Sequence, residues 1–380
     1  FGGGYSESIN MLRFPLALLV VFVHSFGADI DVAQLHASGL SGAAIYDYVR
    51  LFCSVVIARS AVPIFFIISG YLLFLKVEEY SKQVYVGKMR KRWHSLVIPY
   101  LTWNVFIVLW TLAFKIGGIL LHGKPWDGIG DYFIQNGCLH MLWDSSVWDE
   151  RTTWLGVATH NSGPVLLPFW YMRDLIVMVV LSPVFYWLIR KLRFLFILML
   201  MAIYAFDIRV TWMSGTFTAA GLFFGCGAYF AIMKQDFTDV IWRWRYAIVP
   251  LAVMLMAMQT YSGSAMGDGV SRMIHPWLVI IQSAALIILA SAMCRHRRLY
   301  EASKRLCCTS FFVYALHPFI LGYVTAIINK VMPLPDAWYM QTFCYLLAPL
   351  ACVMICVGVY GLMRMYLPSV MSVLMGERRR

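Results

Sequence analysis

INMLRFPLALLVVFVHSFG, residues 9–27, is an apolar run that carries two ionisable side chains, Arg13 and His24. As a helix its 19 residues rise about 28 Å, close to the ~30 Å hydrocarbon thickness of a bilayer. Nine more apolar runs follow, at about 54–75, 96–118, 164–189, 194–207, 216–233, 246–262, 276–294, 308–330 and 339–364. The chain is 61% hydrophobic and 13% charged, with a mean hydropathy of +0.71. Soluble domains carry about 25% charged residues. A chain this apolar cannot cover itself with polar groups in water, so lipid is the solvent that fits. The expected fold is all-α: a polytopic membrane bundle of about ten transmembrane helices, forming a single domain over residues 6–376. The 14 Trp and 21 Tyr suit two interfacial belts. Phe1 to Tyr5 read as a trimmed end and are left out of the fold.

The net charge of +12 reads as orientation rather than as a nucleic-acid surface, because Lys and Arg gather in cytoplasmic loops. With the first terminus placed inside, the inner segments hold 21 of the 31 basic residues. Among them are Lys88, Arg90, Lys91 and Arg92, a cluster at 295–305, and Arg364 with Arg378, Arg379 and Arg380. The outer segments instead hold Asp29, Asp31, Asp47, Asp127, Asp131, Asp144, Asp149 and Glu150. This alternation predicts both termini on the cytoplasmic side. It also places the longest connection, 119–163, outside, either as an irregular loop or as a partly folded cap rich in His, Trp and carboxylates. The nine Cys show no metal-ligand spacing, so neither a metal site nor a disulfide framework is expected.

A charge in the bilayer interior is costly and needs a partner or a task. Arg13 and His24 are eleven positions apart, three turns plus about 20°, so they share a helix face about 16 Å apart along the axis. Ala17 and Val20 lie between them and leave a narrow apolar stripe suited to a long, thin ligand. The bland alternative is that Arg13 snorkels to the inner headgroups while His24 bonds a neighbouring helix. Arg59 lies inside the outer edge of the second run, with Ser69 and Gly70 deeper. Arg173 and Asp174 are adjacent, point about 100° apart and need not pair with each other. His317 precedes Pro318, which frees a carbonyl one turn back, and satisfying that defect is its expected role.

The order LRFPLALLVVFVH (12–24), AVPIFFIISGYLL (61–73), LVIPYLTWN (96–104), PFWYMRDL (168–175) and YALHPF (314–319) resembles the acyltransferase-3 family, whose signature is an Arg and a His separated by ten residues at the first helix. The resemblance covers nearly the whole chain. It implies a bacterial inner-membrane enzyme that acylates, often acetylates, hydroxyls of extracytoplasmic carbohydrates, with acetyl-CoA or another acyl-CoA as donor. It implies His24 as the essential base and Arg13 as a donor-binding or structural partner. Arg59, Ser69 and Arg173 match further family positions. Some members carry a fused soluble esterase-like domain, and none is expected after the tenth span here.

The expected scheme has CoA phosphates on Lys88, Arg90, Lys91 and Arg92, with the arm guided by Arg13. The catalytic candidates are His24 as base toward the acceptor hydroxyl, Arg59 or Arg173 on the developing oxyanion, and Ser69. Imidazole suits the base because its ordinary pKa is about 6.5. The expected partners are the bilayer, acyl-CoA and a glycan or lipid-linked sugar, with a homo-oligomer compatible and no metal. A permease for a small solute such as an amino acid is the alternative from another class. The acceptor's identity and the choice between direct transfer and a covalent intermediate stay open.

Overall fold

The computed structural model describes residues 5–377 apart from 28, 40, 124, 154–155, 210–213, 263–268 and 333–336. Arg378, Arg379 and Arg380, counted above among the inner cations, lie outside the described residues. In chain order the helices are α1 (Tyr5–Val23), α2 (Val32–Ala37), α3 (Gly42–Arg50), α4 (Ala61–Phe74), α5 (Lys82–Arg92) and α6 (Ile98–His122). Next come α7 (Asp127–Gln135), α8 (Trp170–Val180), α9 (Ser182–Leu192), α10 (Phe194–Ala205), α11 (Thr216–Ile232) and α12 (Phe237–Arg243). The last six are α13 (Arg245–Ser262), α14 (Gly269–Met293), α15 (Arg297–Leu306), α16 (Ser310–Val331), α17 (Trp338–Tyr366) and α18 (Pro368–Leu374). A single antiparallel hairpin, β1 (Ser146–Thr152) with β2 (Ala158–Gly163), interrupts them among the described residues.

Each of the ten apolar runs contains a helix. By length and composition, six helices among the described residues could cross a membrane, or up to eight if each of two broken helix pairs is one span. One such pair is α8 and α9, bent by 62° at Leu181, where Pro183 opens the second helix. The difference from ten is physical. α10 has 12 residues and rises only about 18 Å. α13 carries Arg245 and Gln259 and is less apolar than the long spans.

The chain divides into two compact units. The first comprises Phe1–Leu72 with Met233–Leu362. In it α1 packs on α16 and α17 through Ala17, Val21, Val313, Leu321, Cys352, Val353 and Cys356. Ala17 is fully buried and Val20 nearly so. The small stripe between Arg13 and His24 is therefore helix-packing surface, not the open ligand path the spacing suggested, because small side chains let helix backbones approach closely. The second run begins earlier than expected. α3 continues through a π-helical stretch, Leu51–Ile57, and a 3₁₀ turn, Ala58–Ser60, into α4.

The second unit comprises Leu73–Ile232 with Met363–Arg380. There the 119–163 connection is folded. α6 runs on to His122 and ends at Gly123, whose left-handed φ of 62° suits a residue without Cβ. After α7 and a 3₁₀ turn at Cys138–Leu142, the Tyr100 hydroxyl donates to Leu142 O at 2.6 Å. Val165 N bonds Met141 O at 2.7 Å, and the Asn104 amide oxygen accepts from Leu166 N at 3.2 Å. These bonds tie both ends of the hairpin region to α6 and the chain beside it.

Gly376 closes the chain's return onto this unit. Its φ is +62°, and an added Cβ would meet His94 O at 2.6 Å and Ser95 Cα at 2.8 Å. Left-handed backbone and a backbone clash both disfavour a side chain there. Gly376→Ala is expected to cost about 2 kcal/mol, read as a lower thermal unfolding midpoint in detergent.

Candidate functional site

His24 lies one residue past α1. Its N–H bonds Val21 O at 3.2 Å, and Ser25 N bonds Phe22 O at 3.2 Å, three residues back rather than four. The last turn tightens and the helix stops at Val23 instead of continuing to Gly27. The His24 ring keeps accessible surface, although protein encloses it on nearly all sides. The imidazole is thus closely surrounded by protein and still open to a ligand.

The backbone on each side of His24 is pinned by the second helical run. On one side the Ser54 hydroxyl, carried on the π-helical stretch, donates to Phe22 O. Ser54 Oγ in turn accepts from the Tyr345 hydroxyl at 2.6 Å. On the other side Arg50 donates twice to Phe26 O, from Nε at 3.0 Å and Nη2 at 2.7 Å. Its remaining arm pairs with Asp47 at 2.8 Å, and its guanidinium lies over the Phe26 and Tyr46 rings. The carbonyls two residues before and two after His24 are thus both held by side chains of one element.

A second imidazole stands beside the first. The His24 and His317 ring centroids are 5.2 Å apart, with 37° between planes. In α16, Pro318 cannot donate to Tyr314 O. His317 Nδ1 fills that place at 2.7 Å, with Val313 O at 3.3 Å. A carbonyl only accepts, so Nδ1 carries a proton, and in the neutral ring Nε2 then keeps its lone pair. Nε2 is fully buried and has no hydrogen-bond partner among the described residues. His317 satisfies the proline defect as expected, and that same bond leaves it a fixed acceptor next to His24.

Arg59, half-buried, is near enough for its charge to act on the His24 imidazole. The break that delivers it is stabilised from α14. Ala61 N bonds back to Ala58 O, so Ile57 O is left by the ladder and accepts from Gln282 Nε2 at 3.0 Å. Ser69 lies ten residues beyond Arg59, about 15 Å along the helix axis, and so belongs to the other half of that span. Arg13 lies a comparable distance from His24 in α1, close enough to Cys307 for its charge to act there. His24, Arg59 and His317 are therefore gathered, while Arg13 and Ser69 mark a different level.

Arg173 and Asp174 belong to the second unit and pair with each other, contrary to the sequence reading: Nη2 to Oδ1 is 2.8 Å. Both are fully buried. Nη1 also reaches Asp144 and Trp143 O at 3.4 Å, and Nη2 reaches Thr216 at 3.3 Å. The guanidinium lies over Phe217. Adjacent side chains on a helix diverge, but Arg is long enough to fold back. In the same unit Ser81 caps α5 by accepting from Val84 N. Lys88, Lys91 and Arg92 are at i, i+3 and i+4 and form one cationic face, with Arg90 opposite. α5 buries none of its residues. Among the described residues, no group of three His, Cys, Asp or Glu side chains could hold a metal ion.

A membrane-embedded imidazole, enclosed yet accessible and eleven residues after an arginine, is the arrangement on which comparison with known proteins bears. The acyltransferase domain family matches residues 6–364. The chain belongs to the acyltransferase-3 family. It is also similar to the succinoglycan biosynthesis protein ExoH of Rhizobium meliloti (strain 1021), with 23% identity over 98% of this chain and 92% of the relative. No solved structure matches it.

Arg50, Ser54 and Tyr345 escaped the sequence reading because none stands out in composition. One signal was present: Arg50 follows Asp47 by three residues at the start of an apolar run. Arg50→Met removes two bonds to Phe26 O and strands Asp47. We expect a loss of about 2 kcal/mol of stability, since Asp47 is partly exposed. Faster hydrogen exchange at Gly27 and Ser25 would accompany a lower unfolding midpoint.

Proposed function

We propose that this acyltransferase moves an acyl group, acetyl in the simplest case, from cytoplasmic acyl-CoA to a hydroxyl of an extracytoplasmic carbohydrate. The observation that carries this reading is the accessible His24 imidazole with a second imidazole, His317, 5.2 Å from it. The Rhizobium relative, named as a protein of succinoglycan biosynthesis, supports a polysaccharide as acceptor. The proposed topology is ten spans in a bacterial inner membrane with both termini cytoplasmic, α10 and α13 being short crossings.

In this scheme Lys88, Lys91 and Arg92 take the CoA phosphates, as clustered cations on an exposed helix face can. Arg90 contributes from the far side, and Arg13 meets the donor on the inner half of α1. His24 accepts the proton of the acceptor hydroxyl as its oxygen attacks the thioester carbonyl. The tetrahedral oxyanion is stabilised by Arg59. Collapse breaks the C–S bond, and the CoA thiolate takes the proton from the His24 imidazolium. In the reacting state His317 Nε2, unbonded at rest, takes the second His24 nitrogen as donor and favours the tautomer that can act as base. Arg173 organises the second unit through its ion pair, and Ser69 acts at the donor's level in the membrane.

Purified protein with radiolabelled acetyl-CoA and a glycan acceptor tests the reading. His24→Ala is expected to lower transfer at least 100-fold, and Arg59→Gln by about 100- to 1,000-fold in kcat. Unchanged transfer by His24→Ala would overturn the scheme, and solute uptake without CoA dependence would favour a permease. For His317 two variants divide the ring's tasks. Asn keeps a donor for Tyr314 O but loses the Nε2 acceptor, whereas Gln does the reverse. His317→Asn should keep a near-normal unfolding midpoint, lose about tenfold in kcat, roughly one hydrogen bond's worth, and move the acidic limb of the pH profile to lower pH. If Asn changes neither rate nor profile, His317 serves only the backbone.

A further inference from the structure

Directly after His24 the chain enters the wall of a cavity of about 420 Å³. It lies wholly within the first unit. Ser25, Phe26 and Gly27 form one side, Tyr46 and Arg50 of α3 another, and the facing ends of α16 and α17 the rest. The volume falls in the ~300–1,000 Å³ range of small-molecule sites. The polar groups come in the forms that read hydroxyls: the amides of Asn329 and Gln341, the phenols of Tyr46 and Tyr345, and the Ser25 hydroxyl. Met332, Met340, Cys344 and Ala348 supply apolar wall between them.

Charge decides which ligand fits. Among the described residues, the one cation in this lining is Arg50, whose charge is matched by Asp47 at 2.8 Å and whose other donors are spent on Phe26 O. The wall therefore presents dipoles and aromatic rings with little net field. Among the described residues an anionic ligand would meet no uncommitted positive partner, and a purely apolar one would leave the amides without partners. A pyranose ring satisfies both demands, with hydroxyls on its rim for the amides and phenols and C–H faces for the tyrosine rings. Ser25, on this wall, directly follows His24 in the chain, so the cavity begins one residue from the imidazole.

We infer that this cavity is the acceptor subsite and that it takes a neutral sugar ring, read by Asn329 and Gln341 and faced by Tyr46. This deepens the reading of His24 as base toward a carbohydrate hydroxyl and rests on it.

The test uses the full chain in detergent, with methyl β-glucopyranoside as probe and methyl β-glucuronopyranoside as its charged counterpart. Saturation-transfer NMR reads binding without any donor. Transfer from acetyl-CoA to the probe separates KM from kcat. Asn329 is exposed and Tyr46 is partly so, so Asn329→Ala and Tyr46→Leu are variants that fold, checked by their unfolding midpoints. Each is expected to weaken saturation transfer and raise KM for the glucoside about tenfold, with kcat within about twofold, the size of one or two lost hydrogen bonds. His24→Ala should still bind the glucoside while losing transfer. Wild-type binding and KM in both cavity variants would overturn the subsite and leave the role of His24 standing. Stronger binding of the glucuronide than of the glucoside would overturn the neutral-ligand assignment. Full transfer by His24→Ala with intact sugar binding would instead overturn the base and leave the cavity as a sugar site.

Discussion

A backbone carbonyl released from the helix ladder inside an apolar bundle must find a donor, since no water replaces the lost bond. In the first unit four carbonyls at helix ends or breaks take side-chain donors, Phe22 O in addition to its bond from Ser25 N. Phe22 O takes Ser54, Phe26 O takes Arg50, Ile57 O takes Gln282 and Tyr314 O takes His317. Each marks a place where a helix ends, tightens or meets a proline. Each donor comes from a side chain that a regular helix would not need. The irregularities are thus where polar groups accumulate, and these four gather around one imidazole.

That gathering links structure to chemistry. The tightened end of α1 stops the helix just before His24. The π-helical and 3₁₀ stretch of the second run places Ser54 to hold the turn and carries Arg59 close enough for its charge to act on His24. Pi-helical stretches recur at functional sites because they re-aim side chains without ending the helix. His317 does two things with one ring: Nδ1 repairs the proline defect, and that bond fixes Nε2 as an acceptor. In the second unit the buried Arg173–Asp174 pair satisfies its donors locally, and the cations of α5 stay at the surface of a helix with no buried face.

Much of this was legible in the amino-acid order. The ten apolar runs all contain helices, because a run of apolar residues has only one way to satisfy its backbone in lipid. Pro318 beside His317 announced both the freed carbonyl and its donor. The family signature picked out Arg13 and His24. Less was legible where length or local geometry decides. The apolar count of ten runs did not reveal that α10 is only 12 residues long as a helix. A helical wheel put Ala17 and Val20 on a ligand path, whereas they are the surface on which α1 meets its neighbours. Adjacent Arg173 and Asp174 were expected to diverge, yet the arginine folds back onto its neighbour.

The sequence by itself determined the solvent, the helical class and the pairing of a cation with an imidazole on one span, because these follow from hydropathy, period and spacing along a single element. Only the tertiary structure decided that His317 stands 5.2 Å from His24, that Arg50 and Ser54 hold the backbone on either side of it, and that a cavity of mixed polar and apolar lining begins at the next residue, Ser25. Those facts depend on residues up to about 300 positions apart in the chain meeting across packed helices. No periodicity within one helix encodes which face of a distant helix it will meet.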